Sequence, residues 1–148
     1  AVFTQILQSQ RKTSATQELL SQTSYVLEYM SRAIRMAKKD LNGSCIGANL
    51  NYSTTTSLGA GIKFLNSSST CQEVYLENSQ LKENKGGVVS PLTSDHLNVL
   101  SFKIADSGWI QTDNSQPKVT LFLEIEGKNQ SKIKVQTAVT QRNLDIEK

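Results

Sequence analysis

Residues 17–42 read QELLSQTSYVLEYMSRAIRMAKKDLN, and this stretch decides the fold. No glycine or proline interrupts the chain from Ala1 to Asn42, so one helix over 1–42 is permitted, and Asn42-Gly43 supplies a C-terminal stop. Leu20, Leu27, Met30, Ile34, Ala37 and Leu41 recur in steps of three and four once Thr23 is admitted, which predicts an apolar stripe; Leu19, Val26 and Ala33 widen it. Glu28 and Arg32 stand four apart, and Arg32, Arg35, Lys38 and Lys39 gather where the helix dipole favours cations.

Followed backwards, the same register meets Thr16, Thr13, Ser9 and Ile6, so the stripe turns largely polar. A helix continuous to Leu41 would be about 60 Å long, more than a small sheet covers, and its first half is expected to protrude from the domain. Such an end is marginal in water without a packing partner.

Beyond Gly43 the pattern changes to short segments rich in branched and aromatic residues. Strands are expected at 44–50, 61–65, 72–77, 80–84, 99–104, 119–125 and 132–139. Asn78-Ser79 and Gly127-Lys128-Asn129 each separate two such runs and predict hairpins. Val119, Leu121, Leu123 and Ile125 alternate with Thr120, Phe122 and Glu124, and Ile133, Val135 and Thr137 with Lys132, Lys134 and Gln136, so one face is expected to be buried and the other wet. Long loops are expected at 86–97 and 105–117, with mobile stretches at 51–57 and 67–70. The fold class is therefore α+β: a long N-terminal helix packed on an antiparallel sheet, in one domain spanning 1–148, with the β-rich globular part over 43–148.

Composition agrees with one modest core: 148 residues, 37% of them hydrophobic, and a formal net charge of +3 with the signs interspersed. Cys45 and Cys71 are the two cysteines; their spacing is not that of a Cys-x-x-Cys motif, and a single disulfide suited to an oxidising compartment is expected, closing a loop worth roughly 3 kcal/mol. No apolar run approaches the ~20 residues of a membrane span, and no stretch has the form of a signal peptide. The chain opens on Ala1-Val2-Phe3, which reads as a processed or trimmed product.

Catalytic constellations lack partners. His96 is the one histidine, and it follows Asp95 in a solvated segment; the glycine-rich nucleotide loops and His-Glu-x-x-His are missing, so no enzyme, cofactor or small-molecule substrate is expected. Asp106 and Asp113 share a loop with Trp109, where Asn114 and carbonyls could complete a calcium site, although ordinary turn residues account for them as well. Trp109 is a candidate tip contact for a ligand, against the alternative of a ring folded back on the sheet. Arg32, Arg35, Lys38 and Lys39 form a candidate basic contact face; a solvated helix face outweighs nucleic acid as its explanation. Asn42, Asn51, Asn66 and Asn129 each begin a glycosylation tripeptide, a match that a Ser- and Asn-rich chain produces by chance.

The long helix of 17–41, followed by Val74-Tyr75-Leu76, Leu81-Lys82, Pro91-Leu92-Thr93, Val99-Leu100-Ser101-Phe102, 116–121 and 135–143 in that order, resembles the periplasmic part of type IV pilins and type II secretion pseudopilins. The likeness is greatest to the minor pseudopilins of the J and PilW-like kind, in the prepilin-type N-terminal cleavage/methylation family. The resemblance implies a structural subunit acting in filament assembly, with other pilin or pseudopilin subunits as partners. It also implies an extracytoplasmic place, periplasm or cell surface, and an inner-membrane anchor carried by a methylated segment preceding Ala1. An adhesin or DNA-uptake module at a pilus tip is the alternative. Cys45 and Cys71 lie early in the chain, unlike the pilin loop near the C-terminus, so no receptor-binding role transfers to them.

Overall fold

A computed structural model describes residues 2–55, 60–107 and 116–142, with side chains over 14–54, 61–105 and 116–142. Among the described residues one α-helix, α1 (Val2–Arg35), precedes eight strands: β1 (Ser53–Thr55), β2 (Ala60–Leu65), β3 (Cys71–Glu77), β4 (Gln80–Lys85), β5 (Val88–Pro91), β6 (Asn98–Ser107), β7 (Lys118–Glu126) and β8 (Lys132–Thr140). They form a five-stranded sheet in the order β1-β2-β3-β4-β5 and a three-stranded sheet in the order β6-β7-β8, with antiparallel pairing throughout. The class is mixed α+β.

The turns explain the meander. Asn78 and Ser79 both take positive φ, 51° and 60°, as a two-residue hairpin matched to strand twist requires. Gly86 and Gly87 do the same between β4 and β5 (61° and 92°), so the segment expected as a loop from residue 86 begins with a second tight hairpin and contains β5. Between β2 and β3 the Asn66 carboxamide accepts the N–H groups of Ser68 and Thr70 at 3.0 and 2.9 Å. That stretch, expected to be mobile, is a bonded turn. Asn51 and Tyr52 are likewise buried, and β1 follows them.

A single core is shared by the helix and both sheets. Leu19, Val26, Met30, Ile34 and the following Ala37 meet Ile62, Phe64, Val74 and Leu81 from one sheet and Phe102, Leu121, Leu123, Ile125 and Val139 from the other. Each large apolar side chain sequestered there contributes about 1.5–3 kcal/mol. The stripe keeps most of the expected line, with Thr23 buried on it and Leu19 and Val26 buried beside it, but Leu20 is 45% exposed. Leu27 is half-buried, and Met30, Ile34 and Ala37 are inside as expected.

Leu41 does not belong to the stripe at all, because α1 ends at Arg35 and Leu41 is 65% exposed. Nothing in the local sequence breaks the helix there; tertiary bonding does. Lys38 donates its N–H to Leu65 O at 2.8 Å and Asp40 to Leu50 O at 2.9 Å, so the backbone leaves the helix to bridge onto the end of β2 and onto Leu50, ahead of β1. The helix's last carbonyls find partners from distant parts of the chain: Tyr52 Oη donates to Ile34 O at 2.6 Å and Arg142 N to Arg35 O at 2.7 Å.

Residues 44–50, expected as a strand, instead wind around Asp40. Its carboxylate accepts the N–H groups of Ser44, Cys45 and Ile46 at 3.1, 2.7 and 2.8 Å. Burial pushes this carboxyl's pKa up, but those donors together with the N–H of Gly47 outweigh burial and hold it below the ordinary value.

Candidate functional site

Cys45 and Cys71 are joined, with a Cα–Cα separation of 5.4 Å, and the bond fastens the Asp40 loop to the start of β3. The candidate basic face divides. Arg32 and Arg35 occupy the last turn of α1, with Arg32 exposed and 3.2 Å from Glu28. Lys38 and Lys39 lie past the helix, and Lys38 Nζ reaches Ser69 Oγ at 3.3 Å. Arg142, which the sequence did not single out, comes to the same place and sets its guanidinium 3.8 Å from Met36 Sδ.

Beside that cluster runs a groove of about 250 Å³ between α1 and the β2–β3 turn, lined by Tyr29, Arg32, Met36, Ser67, Ser68, Gln72 and Lys85 among others. Beneath it lies Glu83, 4% exposed. Tyr29 Oη donates to both of its carboxylate oxygens, at 2.8 and 2.6 Å, and Gln72 Nε2 donates to one at 3.2 Å. Asn66 Nδ2 completes the relay by donating to Gln72 Oε1 at 3.2 Å. Burial first, then the hydrogen bond to Glu83 and its negative charge, push Tyr29 up to about 12. The relay has donors converging on a carboxylate and no nucleophile beside a base; what it does is fix the helix to β3 and β4. Alternation could have found these residues, since Gln72-x-Val74 and Leu81-x-Glu83 put the two polar groups on the core-facing side.

A second concavity, about 430 Å³, lies on the outer face of the three-stranded sheet around Phe122, Lys103, Glu124, Lys134 and Gln136. Here the hydrogen bond from Lys132 at 2.9 Å holds Glu124 below the ordinary carboxylate range, with the nearby lysines adding to it.

Of the remaining candidates, Trp109 and Asp113 lie outside the described residues, and Asp106 is in β6 opposite Val119 with its side chain likewise outside them. Among the described residues no group of His, Cys, Asp and Glu side chains is arranged to hold a metal ion. His96 is exposed, 3.9 Å from Asp95. Of the four glycosylation tripeptides, those at Asn51 and Asn66 are closed by burial, while Asn42 and Asn129 are exposed. No described helix is long and apolar enough to cross a membrane.

Comparison with protein-family models, with curated proteins and with solved structures returned no match to this chain.

Proposed function

We propose that this chain is a structural subunit of a pilin-type filament, a minor pilin or pseudopilin of a type IV pilus or type II secretion-like system. One observation supports the reading: the apolar positions of α1 change sides midway along its length. It starts at Val2, yet the first buried side chain among those described is Ala15 and the first in the core is Leu19. Continued backwards from Ala15 and Leu19, the core-facing line runs through the positions of Arg11 or Lys12, Gln8, and Thr4 or Gln5, all polar. At roughly 100° per residue, the apolar positions Val2, Phe3, Ile6 and Leu7 together centre about half a turn away from that line. A helix that changes its apolar side midway suits a domain that keeps one half and offers the other to neighbouring helices.

In this reading the partners are other subunits, the place is extracytoplasmic, an apolar segment ahead of Ala1 anchors the subunit in the inner membrane before assembly, and no side chain does covalent work. Sequencing the gene upstream of the Ala1 codon tests it. A glycine cleavage site followed by a glutamate-containing apolar run of about 20 residues is expected. A conventional secretion signal ending at Ala1 would overturn the proposal.

The placement of Arg142 beside Arg35 and Met36, at the helix end that carries Arg32, favours a second reading, an adhesin or DNA-uptake module at a filament tip. It requires salt-dependent DNA binding that is lost when Arg32 and Arg35 are replaced.

A further inference from the structure

The two sheets have four edges, and three of them are blunted. β1 has three residues and a register shift. β5 has four and ends in Pro91, which has no N–H to offer. β6 carries a register shift between Val99 and Ser101, and Val99 N is tied to Ser79 O at 2.8 Å. β8 differs: it runs unbroken for nine residues, without proline, glycine or bulge.

The pairing pattern shows which groups this edge presents. At its two ends Gly127 N donates to Ser131 O and Gln141 N to Pro117 O, so the odd-numbered residues of β8 exchange bonds with β7. Lys132, Lys134, Gln136, Ala138 and Thr140 therefore aim their N–H and C=O groups away from the sheet. Arg142, next in that series, has its N–H taken by Arg35 O. For the five before it, no backbone partner occurs among the described residues. On the core side Ile133, Val135 and Thr137 are only half-buried, as they would be if one flank lacked a neighbour.

We propose that β8 is the interface of a symmetric dimer, in which two copies pair their β8 strands antiparallel about a two-fold axis at Gln136 and fuse the two three-stranded sheets into one. The strand is complementary to itself in this register. Lys132 falls opposite Thr140 of the second copy and Lys134 opposite Ala138, so no two lysines face each other. The two Lys134 residues stand four positions apart along the strands, about 13 Å, beyond the screening length of ~8–10 Å in physiological salt. On the core side Ile133 meets Val139 and Val135 meets Thr137, which covers the half-buried flank. The five outward residues all fall on hydrogen-bonded pairs in this arrangement. A two-fold contact of this kind is closed and leaves no further β8 edge open. The dimer does not depend on the filament reading, because it forms from this chain alone.

Light scattering and sedimentation on the isolated chain over a concentration series test it. The mass should rise towards twice that of the chain. Ala138→Pro removes an N–H that points away from β7 and should leave the fold intact; Gln136→Lys puts like charges face to face across the axis. Each should weaken association at least tenfold, with circular dichroism unchanged; if the proline variant does not fold, Gln136→Lys alone decides. Gln136→Cys should oxidise to a covalent dimer, since opposed hydrogen-bonded residues lie about 5.5 Å apart, within disulfide reach, whereas Lys134→Cys alone should not. A chain that stays monomeric up to roughly millimolar concentration, or a dimer indifferent to both variants, overturns the proposal; the second result would move the contact to another face.

Discussion

Single side chains hold the irregular parts of this molecule. Asp40 is the clearest, because three N–H groups of the loop it organises donate to its carboxylate. Its pKa is lowered in the fold, so its contribution is complete above the ordinary carboxylate value of 3.8 and is lost as pH falls through the depressed folded value. Asp40→Asn should therefore cost about 2–3 kcal/mol at neutral pH, and the gap between variant and parent in urea titrations should narrow below about pH 4. A gap independent of pH would rule out the charge as the cause. Thr23 is the reverse case, a core helix residue 2% exposed whose hydroxyl has no partner. Thr23→Val should raise stability by up to about 1 kcal/mol, read as a higher denaturation midpoint with an unchanged slope. Thr23 already stands in the apolar series that the sequence predicts, whereas the role of Asp40 was not legible there. An aspartate after Lys38-Lys39 reads as a helix residue until the Leu65 and Leu50 carbonyls are known to draw the backbone away.

At the level of elements, legibility followed period and length. The long strands β7 and β8 announce themselves by alternation over nine residues each, and the structure places Val119, Leu121, Leu123 and Ile125 inside. The short edge strands do not: β5 is exposed at all four residues and carries no burial pattern to read. Its one sequence cue was Gly86-Gly87 after Asn84-Lys85, a tight-turn pair easily taken for the opening of a loop. The helix and most of its buried face were legible, but the choice between Leu19 and Leu20 was not, since the two are equally apolar and only the packed sheet decides between them. The disulfide was expected from cysteine count and is present between Cys45 and Cys71. Closing a span of 26 residues, it should contribute about 3.5 kcal/mol. Reduction, or replacement of both cysteines by alanine, should accordingly lower the melting temperature by roughly 10 °C; a shift under about 2 °C would mean that the Asp40 loop is held by its hydrogen bonds alone.

For the whole molecule, the division of α1 yields a deletion test. A chain beginning at Ser14 keeps every helix side chain placed in the core and should melt within about 3 °C of the full chain. A loss above about 2 kcal/mol would show that the earlier residues stabilise this domain and would remove the ground for assigning them to neighbours.

The end of the helix has another consequence, in time rather than in space. Arg35 O receives Arg142 N and Ala37 O receives the Gln141 carboxamide, so residues made early are fastened by residues made more than a hundred positions later. At roughly 5–20 residues per second, the ribosome presents the apolar side of α1 several seconds before β7 and β8 exist to cover it. The domain cannot close around its first element until nearly all of the 148 residues have been translated. During that interval Leu19, Val26, Met30 and Ile34 form an unshielded strip on a nascent chain, and guarding it falls to whatever meets the polypeptide at the exit tunnel.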